Sequence, residues 1–115
     1  MSDCIFCKIA NHEMEASVVF EDDDVIAFED VNPQLPVHTL IIPKVHYAHI
    51  GDTVPETLLG KLFSTVGKVA QLKGLEDRGY RIVANTGEDA RQTVHHLHIH
   101  VLGGALLPIR MGPAD

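Results

Sequence analysis

One stretch of the chain alternates histidine with aliphatic residues: His95-His96-Leu97-His98-Ile99-His100-Val101-Leu102. Successive side chains of a β-strand point to opposite faces, so the alternation predicts a strand, which we place at residues 93–102. His96, His98 and His100 would then share one face, and the aliphatic residues between them would enter the core beneath. Imidazoles spaced about 6.6–6.8 Å apart along a strand can exchange protons near neutral pH.

The segments before this strand complete an α+β pattern. β-branched and aromatic runs predict a hairpin within residues 17–30, around an acidic turn that we expect to be solvated, and further strands at 37–42 and 80–84. Between about 54 and 71, apolar residues recur at three- and four-residue spacing, which predicts a helix that packs on a sheet. We therefore expect a single domain over residues 1–115, with a mostly antiparallel sheet of about five strands covered by one long helix.

Both ends of the long helix carry sequence signals. Thr53 and Glu56 have the spacing of a capping box, and Pro55 occupies the first turn. Gly74 lies just beyond the expected last turn.

Composition and charge narrow the functional class. The 115 residues include 9 lysines and arginines and 16 aspartates and glutamates, a net charge of −7, which disfavours nucleic acid and anionic membranes as partners. A small phosphate-bearing ligand is compatible with this charge, because backbone N–H groups hold phosphate locally. No apolar run approaches the ~20 residues of a membrane span, and the first residues lack a secretory signal, so we expect a cytosolic protein.

Two other interpretations of the three alternating histidines stay open. They could form the polar face of a half-exposed strand, or they could bind a metal ion together. Ligands at positions i, i+2 and i+4 of a flat strand diverge, which weakens the metal interpretation.

The run from His96 to Leu102 resembles the signature of the histidine triad (HIT) nucleotide hydrolases and transferases. The similarity spans nearly the whole chain, through Cys4-Ile5-Phe6-Cys7-Lys8-Ile9, Ala27-Phe28-Glu29-Asp30, Pro36-Val37-His38, Leu40-Ile41-Ile42-Pro43-Lys44 and Gly103-Gly104. The two glycines and Gln92-Thr93-Val94 are most similar to the Hint branch. The resemblance implies a homodimeric purine nucleoside phosphoramidase, which cleaves the P–N bond of adenosine or guanosine phosphoramidates and also acts on acyl-adenylates.

The central histidine of the row is the candidate nucleophile. A neutral imidazole attacks phosphorus well when its other nitrogen is protonated and held, and His98 is placed to do so. The resemblance implies that His98 forms a nucleotidyl-histidine intermediate that water then hydrolyses. A backbone carbonyl of residues 97–100 or the side chain of His38 could orient its ring. His100 would donate to a phosphate oxygen or assist the leaving amine.

Neutral donors and an apolar slot complete the predicted substrate site. Asn85, Gln92 and Thr93 could donate hydrogen bonds to a monophosphate, together with the N–H groups around Thr93 and Val94. Asp30 could accept hydrogen bonds from the ribose hydroxyls, or equally cap a turn. By the resemblance, the purine would lie in a slot made of Ile5, Phe6, Ile9, Phe28 and Val31.

Two cysteines and two histidines form a donor set suited to tetrahedral zinc. By resemblance to metal-bearing relatives of the same family, a closed structural zinc ion would be held by Cys4, Cys7, His46 and His96. His49 is a rival ligand, three residues after His46, and two free cysteines are the plain alternative. A redox C-x-x-C is disfavoured, because nothing in the sequence puts the pair at the start of a helix after a strand.

Two residues depart from the Hint pattern. Arg91 stands where a glycine usually precedes Gln92, so a loop that needs a positive φ would have to take another path. The Arg91 side chain could reach the phosphate or point to solvent. His95 replaces an aromatic or apolar residue and should point with Leu97 toward the face opposite the triad.

Two alternative functions stay open beside the phosphoramidase. A dinucleoside polyphosphate hydrolase would use the same His98 nucleophile with a longer phosphate-binding region. A nucleotide-binding or zinc-bearing interaction protein would need no nucleophile at all.

Overall fold

A computed structural model describes residues 3–109 of the chain. Its elements are two helices and five strands, with a short 3-10 helix at Glu88–Ala90: α1 (Ile5–Ala10), β1 (Val18–Glu21), β2 (Val25–Glu29), β3 (Val37–Pro43), α2 (Glu56–Leu72), β4 (Tyr80–Val83) and β5 (Ile99–Gly103). The strands form one sheet in the order β1-β2-β3-β5-β4, and every neighbouring pair is antiparallel. The predicted α+β fold, a five-stranded antiparallel sheet with one long helix, is confirmed.

Each face of the sheet is covered by a different helix. The apolar stripe of α2, including the fully buried Leu62 and Val69, packs on one face against Leu97, Ile99 and Val101. On the other face, a second cluster joins α1 to the sheet and contains Phe6, Ile9, Ala10, Ile26, Phe28, Leu40 and Ile42. The triad histidines belong to this second face, because alternation turns them away from α2.

The strand that carries the triad is shorter than predicted. We expected it to start at residue 93, but β5 begins at Ile99, where Ile41 of β3 is its partner. Continued by two residues, the antiparallel register would place Leu97 opposite Pro43, and proline has no N–H to donate to a ladder. His96 and His98 therefore lie in the irregular segment before β5, and only His100 lies on the strand.

The start of α2 and the position of His95 also differ from prediction. No side chain caps α2: Pro55 is the N-cap residue, and Thr53 has φ of 52°, so the predicted capping box is wrong. Gly74, with φ of 71°, follows the C-cap residue as predicted. His95 is exposed although Leu97 is buried, so the alternation of faces does not extend back to His95. None of the described helices is both long and apolar enough to cross a bilayer.

The acidic turn between β1 and β2 is an ordered structural element. One carboxylate oxygen of Asp22 accepts the N–H groups of Asp24 and Val25, and the other pairs with Lys61 of α2 at 2.8 Å. Desolvation raises the pKa of Asp22, but the hydrogen bonds from Lys61 and the two amides outweigh it and lower the pKa to about 2. The turn that we expected to be merely solvated therefore holds the long helix to the hairpin.

Arg91 itself adopts the left-handed conformation, with φ of 62° and ψ of 36°, so the loop does not take another path. Its side chain is exposed. An L-residue in this region costs about 1–2 kcal/mol. Glycine avoids this cost, but its greater conformational freedom in the unfolded state offsets part of the stabilisation. We expect Arg91→Gly to raise the free energy of unfolding by roughly 0.5–1 kcal/mol in urea denaturation.

Gly87 provides the matched control in the same loop. Its backbone, at φ of 81° and ψ of −179°, is one that only glycine adopts readily, so Gly87→Ala should destabilise the fold. A less stable Arg91→Gly protein would contradict the assignment of strain to Arg91.

Candidate active site and metal centre

The ring of His98 is oriented by a backbone carbonyl. Its Nδ1 lies 2.7 Å from the carbonyl oxygen of His96, and a carbonyl only accepts, so Nδ1 carries the proton and donates it. The lone pair of the neutral ring is therefore on Nε2. Of the two predicted orienting groups the structure shows a carbonyl, located at His96, just before residues 97–100. Phe6 packs edge-on against this ring, with centroids 5.1 Å apart.

His38 orients His100 instead of His98. Its Nδ1 accepts the backbone N–H of Gln34 at 3.2 Å, so its proton is on Nε2. That Nε2 lies 2.9 Å from Nδ1 of His100 and 3.3 Å from a carboxylate oxygen of Asp30. Because Nδ1 of His100 accepts from His38, the neutral His100 ring carries its proton on Nε2. Two adjacent rings thus have opposite roles: His98 presents an acceptor nitrogen and His100 a donor.

A cavity of about 430 Å³ opens beside these two rings. It brings together both histidines and eight of the ten predicted substrate-binding residues: Ile5, Phe6, Ile9, Phe28, Asp30, Val31, Thr93 and Val94. Within it Phe6 and Phe28 are buried, whereas Val31 is 90% exposed at the rim. One oxygen of Asp30 accepts the backbone N–H of Asn32, so the predicted turn cap is present alongside a place in the cavity wall.

Two predicted donors, Asn85 and Gln92, are not among the residues that line the cavity. The buried Gln92 uses its amide to hold the loop: Nε2 donates to the carbonyls of Ala48 and Val94, and Oε1 accepts the N–H of Gly87. Its predicted contact with phosphate is therefore replaced in this structure by backbone contacts, because both ends of the amide are engaged. Asn85 is half-buried at the end of β4.

The sequence interpretation missed six residues of the cavity wall: Met14, Glu15, Ala16, Glu29, Asn32 and Leu40. Glu29 and Asn32 are sequence neighbours of the predicted residues Asp30 and Val31, and Leu40 pairs with Phe28 across β2 and β3, so the strand register would have added Leu40. Met14, Glu15 and Ala16 follow α1, a helix of six residues that is too short to produce a clear periodic signal.

The four predicted zinc ligands converge at one point. Nδ1 of His96 lies 3.3 Å from Sγ of Cys4 and 3.5 Å from Sγ of Cys7, and Nδ1 of His46 lies 3.2 Å from Sγ of Cys7. All four donor atoms lie within 4.8 Å of one another. Tetrahedral zinc with Zn–N and Zn–S bonds of about 2.0–2.3 Å needs donors about 3.3–3.8 Å apart. The donor set therefore fits a closed four-coordinate zinc ion.

The tautomer of His96 agrees with this role. Its Nε2 lies 2.9 Å from the carbonyl oxygen of Pro43, so Nε2 donates and the lone pair of Nδ1 faces the sulfurs. Burial disfavours the imidazolium and lowers the pKa of His96 to about 4. The ring is thus neutral at physiological pH, as a metal ligand must be.

Two alternatives to this zinc site were His49 as a ligand and a redox-active cysteine pair, and the positions of these residues bear on both. His49 is not part of the cluster, and its Nδ1 accepts the N–H of Gly51 at 3.0 Å. The cysteine pair does lie at the start of a helix, contrary to our expectation, since Cys4 is the N-cap residue of α1 and its sulfur accepts the N–H of Cys7. Both sulfurs nevertheless face histidine nitrogens, and α1 is the first described element of the chain, so no described strand precedes it.

The family profile of the HIT domain matches residues 11–106. The chain belongs to the HIT family. Among HIT relatives, the 14 kDa zinc-binding protein of Zea mays is 47% identical over 107 residues, which cover 90% of this chain and 83% of that protein.

Solved HIT structures agree with the fold. The crystal structure of a HIT family hydrolase from Legionella pneumophila superposes with a TM-score of 0.91 at 45% identity, covering 96% of this chain and 100% of that one. A histidine triad nucleotide-binding protein from Candida albicans superposes with a TM-score of 0.82 at 29% identity, covering 96% and 87% of the two chains. The predicted family and fold are thereby confirmed.

Proposed function

We propose that this HIT protein is a nucleotide hydrolase that cleaves the P–N bond of purine nucleoside phosphoramidates, and acyl-adenylates as well, through a nucleotidyl intermediate on His98. The carrying observation is the pair of opposite tautomers in the cavity wall, an acceptor Nε2 on His98 beside a donor Nε2 on His100. Similarity to a HIT family hydrolase supports the reaction class, and similarity to a histidine triad nucleotide-binding protein supports a nucleotide as the ligand.

The first displacement would be carried out by His98. Its Nε2 lone pair forms a bond to phosphorus while the P–N bond of the substrate breaks, and the amine departs with a proton gained from the site or from water. Nδ1–H stays on the carbonyl of His96, which stabilises the positive charge that develops on the ring. His100, held by His38, donates to a non-bridging oxygen that gains negative charge.

The second displacement returns the enzyme to its starting state. Water attacks phosphorus, the bond to Nε2 of His98 breaks, and the nucleoside monophosphate leaves. One proton lost by water balances the proton taken by the amine, so the net reaction is hydrolysis and His98 is again neutral. Thr93 and the backbone around Val94 lie at the cavity wall, where neutral donors could hold the phosphate.

A zinc ion bound by Cys4, Cys7, His46 and His96 would take no direct part in the two displacements. With four protein donors, zinc supplies a structural cross-link between the amino-terminal segment and His96. Cys4 and Cys7 frame the first turn of α1, and Phe6 between them packs on His98, so the cross-link would hold one wall of the cavity in place.

The same resemblance implies a homodimer in the cytosol, and we include both in the proposal. In the described chain β4 is an edge strand with half-exposed Tyr80 and Ile82, which offers an unpaired edge to a second copy.

The cavity favours a single phosphate over a polyphosphate. None of its described lining residues is a lysine or an arginine. A diadenosine polyphosphate would place several negative charges there without a cation to neutralise them. We therefore rank the dinucleoside polyphosphate hydrolase below the phosphoramidase, as the second candidate.

Intact-mass measurement during turnover tests the proposed intermediate. We expect protein denatured at alkaline pH during turnover of adenosine 5′-phosphoramidate to carry one added adenosine monophosphoryl group on His98, because a phosphorus–imidazole bond survives alkali better than acid. Rapid turnover with no adduct at any time would contradict the two-step mechanism. Faster cleavage of a diadenosine polyphosphate than of the phosphoramidate would favour the second candidate.

A further inference from the structure

We propose that Glu15 contacts the purine base and makes the site prefer guanosine over adenosine derivatives. The inference rests on the proposed function and names its substrate class more narrowly. Glu15 lies in the segment after α1, among the cavity residues that the sequence interpretation missed.

Glu15 lies in the cavity wall beyond the C-terminal end of α1. Helix α1 begins next to the triad, because its N-cap residue Cys4 contacts the His96 ring, and Glu15 lies beyond the opposite end of that helix. Ile9, Met14 and Glu15 also border a neighbouring cavity that none of the triad histidines reaches. A nucleotide with its phosphate at His98 would therefore direct its base toward the end of the cavity where Glu15 lies.

Glu15 differs from the other carboxylates of the cavity wall in its hydrogen bonds and ion pairs. Asp30 is engaged with the Asn32 amide and with His38, and Glu29 with the Thr39 hydroxyl and with Lys73. Within residues 3–109, Glu15 is exposed and makes no hydrogen bond or ion pair with another residue. Its two oxygens are therefore available to a ligand.

The purine bases differ in the hydrogen-bond donors that their edges present to a carboxylate. An ionised carboxylate only accepts hydrogen bonds. Guanine presents two adjacent donors, N1–H and the 2-amino group, which match the two oxygens of a carboxylate. Adenine presents one donor, the 6-amino group, beside the lone pair of N1, which repels a carboxylate. Hypoxanthine has N1–H without the second donor and should fall between them. The apolar side chains of Ile9 and Met14 would contact the faces of any of these bases equally.

Titration calorimetry with the three nucleoside monophosphates measures this preference without requiring turnover. We expect the wild-type protein to bind guanosine monophosphate about tenfold more tightly than adenosine monophosphate, the scale of one good bidentate contact, with inosine monophosphate between them. In Glu15→Gln, the amide matches the donor and acceptor of adenine, so the ratio should fall to about one or invert. Glu76→Gln is the matched control: Glu76 is exposed and lies outside the walls of both cavities, and its change has the same effect on net charge.

The outcomes separate this inference from the proposed function. Equal binding of guanosine and adenosine monophosphates to the wild type, or a preference for guanosine that survives in Glu15→Gln, would overturn the role of Glu15 and leave the hydrolase intact. Failure of all three nucleotides to bind the wild type would instead contradict the proposed function. An equal change of the ratio in Glu76→Gln would assign the preference to net charge.

Discussion

Replacement of His98 by alanine is expected to lower the rate of phosphoramidate cleavage by at least about a thousandfold, the scale seen when a covalent nucleophile is removed. The reason is structural: no other described ring presents an acceptor Nε2 beside the donor of His100, because His38 and His96 each donate through Nε2. Steady-state cleavage of adenosine 5′-phosphoramidate provides the measurement.

Two further measurements make this result specific. Nucleoside monophosphate binding should stay within about tenfold of wild type, since His98 contributes only a small part of the cavity wall. His95→Ala is the matched control, because His95 is an exposed histidine three positions away, and it should retain wild-type turnover. Comparable turnover by His98→Ala and the parent would exclude His98 as the nucleophile, whereas absence of turnover in the wild type would favour a protein whose role is binding alone.

Loss of the metal is expected to have the second large effect. Elemental analysis of the wild-type protein should give about one zinc per chain, and Cys4→Ser should give almost none, because zinc binds thiolates far better than a hydroxyl. Zinc at 100 times its dissociation constant stabilises a fold by about 3 kcal/mol. For a domain of this size, its loss should lower the melting temperature by roughly 10 °C.

His49→Ala is the control for the metal prediction. His49 is a histidine in the same loop as His46, but its Nδ1 accepts the Gly51 amide and it lies outside the converging set. This variant should retain zinc and melt near the wild-type temperature. A wild-type protein that contains no metal and melts at the same temperature as Cys4→Ser would contradict the zinc centre.

Periodic features of the chain were the ones that sequence reasoning predicted well. The aliphatic alternation correctly places Leu97, Ile99 and Val101 in the core beneath the triad, and the long amphipathic helix correctly packs on the sheet. The extent of the last strand was wrong because it depends on Pro43, a residue more than fifty positions away whose effect appears only when the strands pair.

In the site, as in the fold, the sequence predicted many of the residues that take part, but not the contacts that depend on how the strands pair. Residue types together with the resemblance to the HIT family sufficed to assemble the zinc ligands and most of the cavity wall. The partner of His38 was not predictable, because His38 pairs with His100 only through the register in which it faces Leu102 on β5. Helix α1 was missed because it has six residues and a cysteine at its N-cap position, where the strongest start signals are serine, threonine, aspartate and asparagine.

Helix α1 would also couple the two proposed ligands, zinc and nucleotide, thermodynamically. Its N-terminal end carries the sulfurs of Cys4 and Cys7, and its Ile5, Phe6 and Ile9 side chains form part of the cavity wall, so whatever fixes the helix at one end also preorganises it along its length. Zinc and nucleotide would then bind with positive cooperativity, and linkage requires each to raise the affinity of the other by the same factor. A cell short of zinc would hold a protein whose affinity for nucleotide was reduced, even with all three triad histidines intact.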